Sequence, residues 1–326
     1  MTQPATQHVI AAAGPSGPEG LALATAPVGE PGPGQVLVKI AAIGVNFIET
    51  YQRSGVYQVD YPFVPGGEFS GTVAAVGDGV RNLAVGDRVA TSSGTRGYAQ
   101  YAVVDAAALG KVPDGLDLKT AAALPLQGMT AHYLVHSSYM VRAGDTILTY
   151  AGAGGVGLLL TQMLKSRGAT VLTTASTDAK KQLARHAGAD YVVDYGQVAA
   201  TVAEVTGGEG VHAVYDGIGK DTFETSLAAL RRRGTLVLFG GASGQVPPFD
   251  LQRLNAGGSL SVTRPSLGHF IATPEELAWR FGDVFGWAAA GKLSARIGAE
   301  YPLEQAAQAH QALESRATTG KVLLVP

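Results

Sequence analysis

The chain of 326 residues contains no cysteine, so it forms no disulfide, offers no thiol nucleophile and cannot build a cysteine-based zinc module. Charge is scarce as well: Asp, Glu, Lys and Arg make up 15% of the residues, against about 25% in an average globular domain. The 24 basic and 26 acidic residues leave a net charge of −2, without the basic excess that a phosphate backbone demands, so no nucleic-acid partner is expected. No run of 18 apolar residues occurs, which argues against a membrane-spanning helix. The first twenty residues, MTQPATQHVIAAAGPSGPEG, lack a basic start and are interrupted by Pro4, Pro15 and Pro18, unlike a secretory signal. A cytoplasmic protein is the expectation. What the chain does have is 46% hydrophobic residues, enough for a sizeable core, and 44 glycines with 16 prolines, a turn-rich composition. At about 150 residues per domain, the length suggests two domains.

From residue 8 to 124 the pattern is one of short strands separated by Gly/Pro turns: Gln35 to Ala42, Gly71 to Val76, Asp87 to Ala90 and Gly97 to Val103. Stretches such as Glu30-Pro31-Gly32-Pro33-Gly34 cannot continue a strand, because proline lacks the N–H and glycine frees the backbone to turn. The periodicity then changes. Strand-like segments at 144–150, 170–175, 191–194, 211–216, 235–239 and 260–263 alternate with helix-forming stretches at 156–168, 178–187, 197–205 and 221–230. Six strands with helical crossovers predict an α/β fold with a doubly wound parallel sheet of Rossmann type. Residues 274–290 and 303–315 read as helices and Lys321 to Val325 as a last strand; its return to the β-rich domain is an expectation that the pattern alone does not show.

Gly152-Ala153-Gly154-Gly155-Val156-Gly157 matches G-x-G-x-x-G, directly after a strand and opening a helix. Glycines there permit a tight turn, and the N–H groups at the helix start are free to hold a pyrophosphate. The end of the second strand should select between NAD and NADP, since an acid about 20 positions on would hold a ribose 2′-hydroxyl. No Asp or Glu lies between Gly157 and Thr177, whereas Ser176 and Lys180 stand at that place. NADPH is the expected cofactor. The competing reading makes Lys180, Lys181 and Arg185 a solvated helix face and Asp178 a displaced ribose acid; Asp178 is read as the cap of the next helix. Gly217, after the fourth strand, and Phe239, after the fifth, should border the cofactor, because ligands of open sheets bind outside the carboxyl ends of strands.

These motifs stand among phrases that together resemble the medium-chain dehydrogenase/reductase superfamily, and within it the zinc-independent, zeta-crystallin-like quinone oxidoreductases. The phrases are GVNFIETYQRSGVY (44–57), PGGEFSGTVAAVG (65–77), GDRV (86–89), AALPLQGMTAHY (122–133), AGAGGVG (151–157), VTRPSL (262–267) and ESRATTGKVLL (314–324). The resemblance implies a GroES-like, mostly β catalytic domain from 1–124 and 292–326, a Rossmann NADPH-binding domain from 125–291, and assembly as a homodimer or homotetramer. It further implies that Asn46 is the nicotinamide-site asparagine and that Tyr51 and Tyr57 are cleft tyrosines. Gly154, Gly155 and Val156 form the diphosphate loop, flanked by Gly152 and Gly157, while Lys180 meets the 2′-phosphate and Tyr195 the adenine side. Thr130, Phe239, Val262 and Arg316 complete the pocket. The group usually writes its loop A-x-x-G-x-x-G; here Gly152 occupies a spacer, and both patterns are satisfied.

Zinc-dependent members of the superfamily place a cysteine where this chain has Asn46 and a His-Glu pair where it has Gly67-Glu68. Glu68 alone cannot make a three-ligand catalytic site. His132 and His136 have i, i+4 spacing on an expected helix but no evident third ligand, so no metal is expected. No G-x-S-x-G phrase supports a serine hydrolase, and Arg231-Arg232-Arg233 fits a cationic helix C-terminus. A metal-free reductase favours electron-poor acceptors, so the implied reaction is hydride transfer from NADPH to a quinone. The alternatives are reduction of an α,β-unsaturated carbonyl, such as an alkenal or enone, and an NADPH-binding structural or RNA-binding role with little turnover.

Overall fold

The alternation between 146 and 263 builds what its period predicts. In the computed structural model, which describes residues 3–326, the strands Thr146–Thr149, Thr170–Thr174, Tyr191–Val193, Val211–Asp216, Leu230–Leu238 and Ser261–Thr263 pair in parallel. Their spatial order is 3-2-1-4-5-6 in sequence numbering, the doubly wound arrangement whose strand order reverses beside the first strand. The helices Gly155–Ser166, Asp178–His186, Val198–Thr206 and Phe223–Ala228 supply the crossovers. Leu148, Leu172, Val214 and Leu236, one from each of four neighbouring strands, are buried with Val198 and Val202 in one apolar cluster. This unit spans Gln127–Thr273.

Two local expectations for it need correcting. The cap of the Asp178–His186 helix is Thr177, whose hydroxyl accepts from the Lys180 N–H at 3.3 Å, and Asp178 is instead the first helical residue. Arg231, Arg232 and Arg233 do not end a helix. The helix stops at Ala228, and Leu230 already pairs with Val211, which draws the three arginines into the Leu230–Leu238 strand.

The other unit joins the residues up to Leu126 with Pro274–Pro326. Its organising element is the long strand Gln35–Val45, which pairs antiparallel with Phe69–Val76, with Tyr101–Asp105 and with the C-terminal strand Lys321–Val325. Val322 opposes Val45 and Leu324 opposes Ile43, so the last segment returns to the β-rich unit as expected. The ladder continues outward through Arg88–Thr91 on one side and Ile297–Pro302 on the other. Val36, Val38, Ile40 and Ile43 of the central strand pack with Phe69, Val73, Val322 and Leu324. A hairpin of Thr6–Ala12 and Leu21–Pro27 was hidden by the Gly/Pro-rich segment between its strands. The expected strand at Gly97 begins only at Tyr101, because Gly97 and Tyr98 bond backward to Gly66 and Pro65.

The unit boundary also differs from the expected one at 291/292. The helix Pro274–Ala289 belongs with the β-rich unit, where the Phe281 ring lies so close to Gly110 that a Cβ there would strike it. No helix among the described residues is long and apolar enough to cross a membrane.

Candidate functional site

In the Rossmann unit the first strand leads into the Gly155–Ser166 helix through Tyr150 to Gly154. Ala151 takes a left-handed φ of 53° and Gly154 is the N-cap, with no side chain capping the helix. The first-turn N–H groups therefore have no intrahelical or side-chain acceptor, which is the condition for anion binding. A Cβ on Gly157 would strike the Ala151 carbonyl oxygen, and one on Gly152 would come within 2.6 Å of Thr173. These glycines let strand and helix approach closely enough to form the turn. A bound dinucleotide phosphate fits such a cradle.

Ser176, Tyr195, Gly217 and Phe239 follow the carboxyl ends of the strands, whereas Val262 lies within a strand and Thr130 in a helix before the sheet. Ser176 is exposed just past the second strand, and Lys180 is half-buried in the following helix. Lys181 forms an ion pair with Asp194 at 2.9 Å. Tyr195 follows the third strand, exposed, with its ring stacked at 5.9 Å on buried Tyr150. Gly217 and Phe239 follow the fourth and fifth strands, and a Cβ on Gly217 would come within 2.9 Å of the Phe239 ring. Their loops are held by Asp216, whose carboxylate accepts from the Ile218 and Gly219 N–H groups and from the Thr222 and Ser226 hydroxyls. Val262 lies partly exposed on the edge strand, and Thr130 is buried in the helix Pro125–Tyr133.

In the β-rich unit, Asn46 ends the central strand and caps the helix Phe47–Arg53. Asn46 and Glu49 form a capping box: Glu49 Oε2 accepts the Asn46 N–H at 2.8 Å, and the Asn46 side chain faces the Glu49 N–H without closing a full hydrogen bond to it. Tyr51 lies on the same helix, and Tyr57 follows it, exposed, with its ring edge-on to Tyr51 at 5.6 Å. Thus the sequence-predicted trio shares one helix and its following loop. Arg316 is exposed, with a φ of 58°, beyond the helix Ala306–Glu314.

Sequence reasoning weighed Glu68 only as a zinc ligand and missed Lys321 beside Asn46. Lys321, one residue before the Val322–Val45 pair and so opposite Asn46, is 1% exposed. Its Nζ donates to Asn46 Oδ1 at 2.6 Å and to Glu68 Oε2. Asn46 Nδ2 donates to the same Glu68 oxygen at 2.9 Å and to the Gly44 carbonyl at 3.3 Å. Glu68 Oε1 accepts from the Leu126 N–H at 2.7 Å. Gly44 makes room, since a Cβ on it would strike Glu68 and come within 2.7 Å of Lys321 Cε. Burial pushes the Glu49 carboxyl up to about 7, against the pull of the Lys321 charge and with a smaller push from Glu68. A lysine opening an apolar strand normally reads as a solvated end, so no local signal marks it.

Residues 32–114 match the family model described as an alcohol dehydrogenase GroES-like domain. Residues 155–281 match the model described as a zinc-binding dehydrogenase. A quinone oxidoreductase of Pseudomonas aeruginosa is 44% identical over 95% of this chain and 97% of its own length. A 2-haloacrylate reductase of a Burkholderia species is 40% identical over 95% and 96%. A mycobacterial protein solved in complex with NADPH is 50% identical, covers 98% of this chain and 100% of its own, and superposes with a TM-score of 0.95.

The zinc in one of those descriptions does not suit the donor set found here. The chain has no cysteine, and no group of three or more His, Asp or Glu side chains able to hold a metal occurs among the described residues. His132 and His136 stack on one another at 4.3 Å. The two oxygens that could begin a site, Asn46 Oδ1 and Glu68 Oε2, already converge on an ammonium group. Catalytic zinc takes three protein ligands and keeps one position open.

Proposed function

We propose that this chain, which belongs to the quinone oxidoreductases of the medium-chain dehydrogenase/reductase family, reduces quinones with NADPH using Asn46, Tyr51 and Tyr57 as its reaction-side residues. NADPH, when bound, supplies the hydride from its nicotinamide C4. The uncapped glycine turn at the centre of the parallel sheet is the observation that carries the cofactor assignment. Gly152, Gly154, Gly155, Val156 and Gly157 hold the diphosphate there. Lys180 and Ser176 take the 2′-phosphate, Tyr195 the adenosine side, and Gly217, Phe239, Val262, Thr130 and Arg316 border the remainder.

Both Nδ2 protons of Asn46 are already engaged, so it acts through Oδ1, as acceptor for a nicotinamide ribose hydroxyl. Tyr51 and Tyr57 line the acceptor side, and one of them donates a hydrogen bond to the oxyanion that forms when hydride reaches a quinone. Lacking a donor set for a Lewis-acid metal, the chain suits acceptors that are already electron-poor. The 2-haloacrylate reductase relative supports a second reading, reduction of α,β-unsaturated carbonyls. The working form is a cytoplasmic homodimer or homotetramer.

Steady-state oxidation of NADPH with a panel of 1,4-quinones beside alkenals and enones separates the two readings; quinones are expected to give the higher kcat/KM, and an alkenal preference would reverse the assignment. NADPH should bind more tightly than NADH, and Lys180→Ala should remove most of the difference, about tenfold for one charge-assisted contact. Equal affinity for the two cofactors in the parent protein would overturn the role of Lys180. Asn46→Ala and Tyr51→Phe enzymes with parental kinetics would remove the roles given to those side chains.

A further inference from the structure

The proposed reaction leaves two buried charges unused. Lys321 is 1% exposed and Glu68 is fully buried. A buried ion pair is a weak source of stability, because desolvating both ions offsets their attraction, and apolar residues of similar volume often do as well. Neither the Lys321–Val325 strand pairing nor the packing of its apolar residues requires an ammonium at this point.

What the pair does is hold the orientation of one amide, together with the Gly44 carbonyl and the Glu49 N–H, which favour the same flip. The oxygen and nitrogen of an asparagine side chain are nearly the same size, so packing scarcely distinguishes its two flips. An ammonium only donates and a carboxylate only accepts. With Lys321 Nζ at one amide atom and Glu68 Oε2 at the other, a single flip is satisfied; the reverse would set donor against donor and acceptor against acceptor. The Leu126 N–H, bonded to Glu68 Oε1, fixes which carboxylate oxygen is turned to the amide. Gly44 contributes twice, with space for the pair and with a carbonyl for the second Nδ2 proton.

We propose that Lys321 and Glu68 are positioning residues: their buried pair holds the Asn46 amide in the flip that offers Oδ1 to a hydroxyl of the nicotinamide ribose. This rests on the role given to Asn46 above. The pair touches neither NADPH nor acceptor and acts through the amide.

The test is the double variant Glu68→Gln/Lys321→Met, which removes both charges with little change of volume. The glutamine introduced in place of Glu68 keeps its oxygen on the Leu126 N–H, so its NH2 group faces Asn46 and turns the amide over. NADPH affinity by fluorescence titration, and kcat/KM for NADPH with a 1,4-benzoquinone, should each fall severalfold, because the ribose hydroxyl loses the acceptor that held it and must turn to accept from an N–H instead. Affinity for 2′,5′-ADP, which has no nicotinamide ribose, should stay within about twofold. Adding Asn46→Ala to the double variant should cost less than about threefold more, because residues acting through one contact are non-additive.

Parental affinity and kinetics in the double variant, while Asn46→Ala is impaired, would overturn the proposal and leave the reading of Asn46 standing. Full additivity in the triple variant, or equal loss of 2′,5′-ADP binding, would also overturn it. Parental kinetics in Asn46→Ala itself would bring down both. If the double variant does not fold, Asn46→Asp is compared with Asn46→Asp/Glu68→Gln. The single change sets two carboxylates on one ammonium; the pair of changes exchanges acid and amide and keeps an acceptor toward Lys321. Recovery of NADPH affinity by about tenfold over Asn46→Asp supports the proposal, and no recovery overturns it.

Discussion

A carboxyl group cut off from water is held more easily in its neutral form, and Glu49, 1% exposed, is held that way up to about pH 7. Burial is the main cause, and the nearby Lys321 charge only partly offsets it. An acid whose folded pKa lies above its unfolded value binds more protons when folded. Its contribution to stability is therefore complete below about pH 4.5 and declines as pH rises to about 7. At 1.36 kcal/mol per unit, the loss across that window is on the order of 3 kcal/mol. Glu49→Gln cannot ionise. Urea unfolding should find it more stable than the parent at pH 8 and indistinguishable near pH 4, and a gap of equal size at both pH values would refute this account.

The helix carrying Asn46, Glu49 and Tyr51 is tied down at its other end. Arg53 is buried and donates to His310 Nδ1 at 3.0 Å, to Glu314 Oε1 at 2.6 Å and to the Ser16 carbonyl at 3.1 Å. A guanidinium has no acceptor, so Nδ1 accepts, the ring proton sits on Nε2, and Nε2–H donates to the Tyr98 hydroxyl oxygen at 2.9 Å. Burial, then the Arg53 charge, pushes His310 down to about 3. For a base with a lowered folded pKa, the stability contribution is complete above about 6.5 and is lost as pH falls toward 3. That slope opposes the Glu49 slope where the two windows overlap, so each is read by difference against its own variant. Arg53→Met leaves His310 Nδ1 buried without its donor while Glu314, about a third exposed, can be solvated. We expect a loss of about 3 kcal/mol by urea unfolding, and a loss under about 1 kcal/mol would show that the helix Ala306–Glu314 does not hold the Phe47–Arg53 helix in this way.

For the whole molecule, the donor set leads to a prediction about metal. Dialysis of the purified enzyme against a strong chelator should leave NADPH-dependent quinone reduction within error of the untreated sample, with far less than one zinc per chain by elemental analysis. Activity lost to the chelator and restored by zinc would contradict the reading of Lys321 as the cation at Asn46 and Glu68. At this scale the sequence was most legible in the parallel sheet. Its six strands and its glycine turn were visible as changes of period or turn chemistry, whereas the return of Lys321–Val325 to the β-rich unit was expected without any pattern to show it. Its errors lay where partners across the fold overruled a local pattern. The arginine triplet entered a strand because Leu230 pairs with Val211, and the helix Pro274–Ala289 joined the β-rich unit, where Phe281 packs beside Gly110.

Period, turn residues and composition are properties of neighbouring residues. The chain's order alone therefore settles the strand–turn–helix at Gly152–Gly157, the absence of an acid between Gly157 and Thr177 and the absence of any thiol. The charged cluster at Asn46 is different in kind. Its members are separated by 253 and 275 positions and meet only because antiparallel register, set by apolar packing across an entire sheet, places Lys321 opposite Asn46. No local pattern encodes that register. A lysine that looks like the solvated start of a strand became, through tertiary pairing, the buried cation that orients an amide.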